Sequence, residues 1–154
     1  MAKTTNVVIT EPSYWLTSVK SGIDATAEEV ITDLVGGKKV FFFGDRTPGR
    51  SKMIAGDWIC FYAAKKGIVA HAMMASSPEQ TSDVKVRQFE EYTWIVRLEN
   101  VEIYANNPTL FSADVIGKLN AFEGRAYIGN WNWFVQATHK VSRHDFGVLT
   151  GGRY

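Results

Sequence analysis

The chain has a single cysteine, Cys60, so no disulfide can close within it. It lacks any window approaching ~18 uninterrupted apolar residues, which removes the expectation of a transmembrane helix. Its opening, MAKTTNVVIT, holds one lysine and no long apolar stretch and does not read as a secretory signal. A cytoplasmic protein fits these absences best. The three histidines, His71, His139 and His144, have no metal-ligand spacing. There is no GxSxG, no GxxxxGK[ST] and no GxGxxG after a strand. No cofactor, metal or catalytic group is therefore expected. Internal repeats and low-complexity linkers are also missing. Net charge is only +1, which argues against a strongly basic nucleic-acid coat.

What is there suits one domain of 154 residues, with 45% hydrophobic and 21% charged content, able to bury a core without disulfides or metal. Charge is unevenly spread. The stretch from Gly36 to Lys66 carries +5 and that from Arg125 onward +3, around an acidic middle. Such asymmetry fits a partner with phosphates and fits a mixed solvated surface equally well.

Residues 1–12 read as an arm and 13–154 as the domain. Tyr14 to Val19 reads as a first strand. Thr26 and Glu29 form a capping box for a helix over about Ala27 to Val35, with Gly36-Gly37 as its left-handed exit. Val40 to Gly44 suits a buried strand, and Pro48-Gly49 turns the loop after it. Trp58 to Ala64 and Gly67 to Ser76 form a hairpin around Lys65-Lys66. Glu91 to Tyr104 is one long bent strand or two short ones. Ser112 caps a helix with Val115, Ile116 and Leu119 inside. Trp133 to Val141 reads as a strand after a Gly129-Asn130 turn, and Ser142 with Asp145 as a second capping box, on a helix that stops at Gly151-Gly152. This order excludes a doubly wound parallel sheet. It predicts an α+β fold: a small, curved, mostly antiparallel β-barrel with short helices at its periphery.

Cys60, inside WICFY, reads as a small core residue, and Trp58 as core too. His71 alternates with apolar neighbours and reads as a satisfied histidine. Glu90 and Glu91 are adjacent on a strand, so they point to opposite faces and make no acid–base pair. The remaining candidates are aromatic and basic: Trp15, the Phe41-Phe42-Phe43 run, Arg46 and Arg50 in GDRTPGR, and Trp131 and Trp133 in NWNW. At least two of the three phenylalanines are expected in the core. Trp15 fits core or pocket.

Three stretches in order, YWL, FFFGDRTPGRSKMIAGDWICFY and NWNWFVQ, resemble the EVE domain family of the PUA-like superfamily. The matching positions are Phe43, Gly44, Arg46, Ile54, Gly56-Asp57 and Phe61-Tyr62, with GIVAHA as the following strand, over about Tyr14 to Gly151. Many members carry tryptophan where this chain has Phe43, and an Arg-Asn pair where it has Asp45-Arg46-Thr47. It is closer to a branch with a GxxTPxR loop. The family is similar in fold to YTH domains, which read a methylated adenine in RNA. The resemblance implies a non-catalytic module that recognises a modified base in DNA or RNA.

On that reading Trp131 and Phe43 are walls of an aromatic cage, Trp15 its floor, and Trp133 lies beside or beneath Trp131 because strand positions two apart share a face. Gly44 opens the loop. Arg46, Arg50 and Lys52 meet phosphates, with Lys65 and Lys66 further out. Asn132 or Gln136 reads a base edge through its amide. The alternatives are a pocket for a free nucleobase or nucleoside, a protein-interaction module, and an enzyme acting on modified nucleic acid. Nothing in the sequence indicates an oligomeric state.

Overall fold

The computed structural model describes residues 11–21, 25–81, 93–124 and 131–154, without the Asn132 side chain. Most of the arm, Glu90-Glu91, and the Gly129-Asn130 turn lie outside the described residues.

Among the described residues, seven strands and four α-helices follow in order: β1 Tyr14–Val19, α1 Ala27–Ile31, β2 Val40–Phe43, β3 Trp58–Ala63, β4 Gly67–Met74, β5 Glu79–Gln80, β6 Trp94–Ile103, α2 Ala113–Lys118, α3 Asn132–Val135, β7 His139–Val141 and α4 Arg143–Leu149. The strands form one sheet in the order β2-β6-β4-β3-β1-β7, with β5 on β6. Among the described strands β1 and β3 run parallel, and the other pairs are antiparallel. The architecture is the expected α+β one: a strongly curled half-barrel of mostly antiparallel strands with short helices around it. It stays open along a seam, because β2 and β7 are its two edges.

The core gathers into two clusters, and in β1 and β3 strand alternation divides the residues between them. Trp15, Val19, Ile59, Phe61 and Ala63 join α1 and the three phenylalanines of β2 in an inner core. Tyr14, Leu16, Cys60 and Tyr62 point outward, beneath Ile116, Leu119, Phe134, Phe146 and Leu149 of the later helices. Each fully buried phenylalanine of this set contributes roughly 1.5–3 kcal/mol of transfer free energy, so both faces are anchored.

Local signals held where a short-range bond closes them. Thr26 Oγ1 accepts from the Glu29 amide at 3.2 Å, and Glu29 Oε1 accepts from the Thr26 amide at 3.0 Å. The exit of this helix differs from expectation. The chain continues through Gly36 and Gly37 as a wide π-helical segment, Thr32–Lys38, and the left-handed residue is Lys39, φ 56°. Its amide donates five residues back, to the Leu34 carbonyl, which satisfies an end group without a glycine.

The strand expected from Trp133 to Val141 is instead α3 followed by β7. Phe134 and Val135 are both buried, and a strand would have sent one of these neighbours outward. A helical turn starting at Trp131, whose carbonyl accepts from the Phe134 amide at 3.0 Å, puts both against the outer core. The second capping box is half present. Ser142 Oγ accepts from the Asp145 amide, while the Asp145 carboxylate turns to the amides of Asn120 and Ala121 at 2.7 and 3.0 Å. It thereby ties α4 to the turn after α2.

Candidate functional site

The seam of the half-barrel holds a cleft of about 820 Å³. It is bounded by the end of β1, by Val30 and Leu34, by β2, by the GDRTP loop, and by Gln136 to Thr138, where the chain passes from α3 to β7. The phenylalanines of β2 give it an apolar wall. Its polar groups are mostly uncharged: the hydroxyls of Thr17, Ser18, Ser21, Thr47, Thr93 and Thr138, and the Gln136 amide. Thr17 and Thr138 share a buried hydroxyl bond of 2.7 Å, which closes one end.

The loop is held from below and from the side. Within it, the Gly44 amide donates to Thr47 Oγ1 at 3.0 Å and the Thr47 amide donates to the Gly44 carbonyl at 3.2 Å. Gly49, φ +77°, lies flat on the Trp15 ring, where a Cβ would stand 2.4 Å from the indole. Only glycine fits there. The Trp15 indole N–H donates to Asp57 Oδ2 at 3.1 Å, and the same carboxylate accepts from the amides of Ser13 and Ile54. The Gly56-Asp57 pair is thus the loop's foundation.

From the side, the Trp94 indole N–H donates to Asp45 Oδ1 at 2.6 Å. The Arg50 guanidinium lies over the Trp94 ring, 3.8 Å from its centroid, and Arg50 Nη2 donates to the Asp45 carbonyl at 3.5 Å. Cation–π contacts of this kind contribute about 0.5–1 kcal/mol when exposed. Asp45 and Arg50 are therefore occupied in fixing the loop, and Arg46 is left exposed on the rim of the cleft. Lys20, at the end of β1, is the second exposed cation there.

Of the residues singled out in the sequence, Phe43, Gly44, Arg46 and Gln136 line this cleft. The others whose side chains are described do not meet there. Trp15 is 3% exposed and serves as a support under the loop rather than an open floor. Arg50 is stacked on Trp94. Lys52 ends a 3-10 turn, exposed and off the lining. Lys66 pairs with Glu28 at 3.6 Å, and Lys65 forms the β3–β4 turn with φ 67°. Trp131 belongs to the outer face, stacked on Phe111 at 4.9 Å and 21° and edge-on to Tyr62. Trp133, 37% exposed, packs against Phe122 and Phe134. Because this segment is helical, the two indoles do not share a strand face. The four-ring cage is thus not assembled around the cleft; Phe43 is its one member present, and it is joined by Phe41 and Phe42.

Sequence reading missed the polar end of β1 and the Thr93-Trp94 pair. The signal for the first was the break in apolar character after YWL. No local signal marks Trp94, whose partner Asp45 is 49 positions away.

Away from the seam, Cys60 is fully buried, and burial pushes its thiol pKa up, as suits a core residue. His71 is buried with Nδ1 3.0 Å from the Tyr104 hydroxyl, and burial lowers its pKa. Among the described residues no three His, Cys, Asp or Glu side chains group to hold a metal, and no helix is long and apolar enough to cross a membrane.

No family model matches the chain, and no curated protein does. Solved structures do. Protein Atu2648 from Agrobacterium tumefaciens aligns over 92% of this chain and 93% of that one, at 14% identity and a TM-score of 0.50. The Mmi1 YTH domain, solved in complex with RNA, aligns over 72% of this chain at 12% identity and a TM-score of 0.48, and the chain spans 65% of that one. At 14% identity the likeness to Atu2648 is one of fold.

Proposed function

We propose that the chain is a non-catalytic, cytoplasmic binding module of the EVE type that takes a modified base of DNA or RNA into the seam cleft. The observation that carries this reading is the cleft itself: an apolar phenylalanine wall beside neutral hydroxyls and an amide, with Arg46 and Lys20 exposed at the rim and the one carboxylate among the described lining residues, Asp45, taken up by the Trp94 indole. That lining suits an uncharged, flat, polar-edged ring attached to an anionic backbone. Flipping a base costs a few kcal/mol, and stacking on one ring returns roughly 1–3 kcal/mol. The two nearly cancel, so phosphate contacts supply the affinity. Burying a methyl adds only about 0.8 kcal/mol. Strong preference for a modified base then requires that the plain base leave a polar group unmet.

The test is a binding screen of the full chain against oligonucleotides with plain and modified bases, as DNA and as RNA, at several salt concentrations. The reading expects salt-dependent binding with a preference for one modification. Salt-independent binding of free nucleosides with no gain from an attached strand would instead make the chain a small-molecule binder. Co-purification of a protein partner with no response to any oligonucleotide would make it a protein-interaction module.

A further inference from the structure

The open edge of β2 and the end of β1 that the short β7 leaves unpaired both border the cleft, and the direction of their main-chain groups follows from strand register. Just before β2 the Lys39 carbonyl accepts from the Leu98 amide at 2.8 Å, and the register then pairs Phe41 with Val96 and Phe43 with Trp94. In an antiparallel ladder, bonded and non-bonded pairs alternate. The N–H and C=O of Phe42 therefore point away from β6, across the open edge. In β1 the Ser13 carbonyl accepts from the Trp58 amide at 3.0 Å, so Ser13, Trp15, Thr17 and Val19 address β3. The alternate residues address β7. Tyr14 and Leu16 find partners there, in Val141 and His139, but the pairing ends at that point. Ser18 is next in the series, and its N–H and C=O are directed past the end of β7. Both Phe42 and Ser18 line the cleft.

We infer that the hydrogen-bonding edge of a neutral nucleobase is read here by the main chain of Phe42 and Ser18, one residue from each open edge. This rests on the cleft being a base pocket and deepens it. A sheet edge is otherwise a template for an added strand, but an added peptide needs a row of alternating groups. The cleft offers a single donor–acceptor pair on each side: Val40, the other outward residue of β2, is not part of the lining, and β1 ends one residue after Ser18. Single pairs on two sides of one apolar cleft match a flat heterocycle. Main-chain reading also accounts for a lining whose polar side chains are mostly short hydroxyls. They leave the backbone accessible.

Two measurements on the full chain test this. The first is a 1H–15N titration with adenosine, guanosine, cytidine and uridine, plain and base-methylated. The expected result is that a binding nucleoside shifts the Ser18 and Phe42 amides and slows their hydrogen exchange. Binding that moves the Arg46 and Gln136 signals but leaves those two amides unchanged overturns the inference and keeps the base pocket. No response anywhere in the cleft, to nucleosides or to the same bases within a six-nucleotide strand, overturns both. A response of the two amides to an extended peptide alone assigns the edges to strand addition and overturns the inference too. The second measurement compares Ser18→Pro with Ser18→Ala. Proline removes an N–H that no ladder uses, so at least a tenfold loss of affinity is expected for Ser18→Pro and less than threefold for Ser18→Ala. Equal effects of the two would point to the hydroxyl and contradict main-chain reading. Should Ser18→Pro fail to fold, the amide titration still decides.

Discussion

On the outer face, Trp131 stacks on Phe111, Trp133 leans on Phe122, and Phe134 sits fully buried between α3 and the sheet. On the inner side, Phe41, Phe42 and Phe43 all border the open space at the seam, Phe42 from the opposite pleat face to the other two. Both regions are rich in rings, yet their surroundings differ. The outer rings meet one another and three short helices, so their area is spent on packing. The inner rings border hydroxyls, an amide, two rim cations and the Asp45 carboxylate. Aromatic density by itself marks a core as readily as a site; what separates them is which polar groups converge beside the rings.

The difference can be broken by substitution. The largest effect is expected for Phe134→Ala, which removes a fully buried ring from the outer core and should cost about 3–5 kcal/mol of stability, read by denaturant unfolding. A folded variant should keep its nucleic-acid affinity; a selective loss of binding at unchanged stability would make the outer cluster the site. Next comes Arg46→Ala. We expect about tenfold weaker oligonucleotide binding, roughly 1.4 kcal/mol, with the salt slope reduced by about 1 and the unfolding midpoint unchanged. A retained slope would remove Arg46 from phosphate contact.

Arg50→Ala sharpens the contrast within one loop. Since Arg50 is bound to Trp94, its removal should lower stability by about 0.5–1 kcal/mol and alter tryptophan emission while leaving the salt slope intact. A slope flattened as in Arg46→Ala would mean that Arg50 leaves Trp94 for a phosphate. The smallest effect is one of pH. Burial lowers the His71 pKa, so the neutral form stabilises the fold above about pH 6.5, the ordinary histidine value. That contribution is lost as pH falls toward the lowered folded value, where the unfolded chain alone has taken up the proton. Unfolding midpoints over this range should decline less in His71→Gln. Equal declines would show that other groups set the acid limb.

Much of the fold was legible because its signals are local. The Thr26–Glu29 box, the β3–β4 hairpin and the first strand each follow from a few neighbouring residues. The NWNW segment was not. Tryptophans two apart fit strand alternation, while Trp131, Phe134 and Val135 fit one helical turn equally well, and four residues are too short for period to arbitrate. The site was legible where glycine and proline punctuate the loop. Which arginine stays exposed was not, because Trp94 decides it from across the sheet. The polar end of β1 became part of a site only through the curl that brings β1 and β2 to face each other.

The most direct measurement is a hydrogen–deuterium exchange footprint of the full chain bound to the preferred modified oligonucleotide. The seam account predicts protection at residues 17–21, 42–47 and 136–138, with none at 110–122 or 131–134. Protection centred on Phe111 and Trp131, with the seam unchanged, would contradict it.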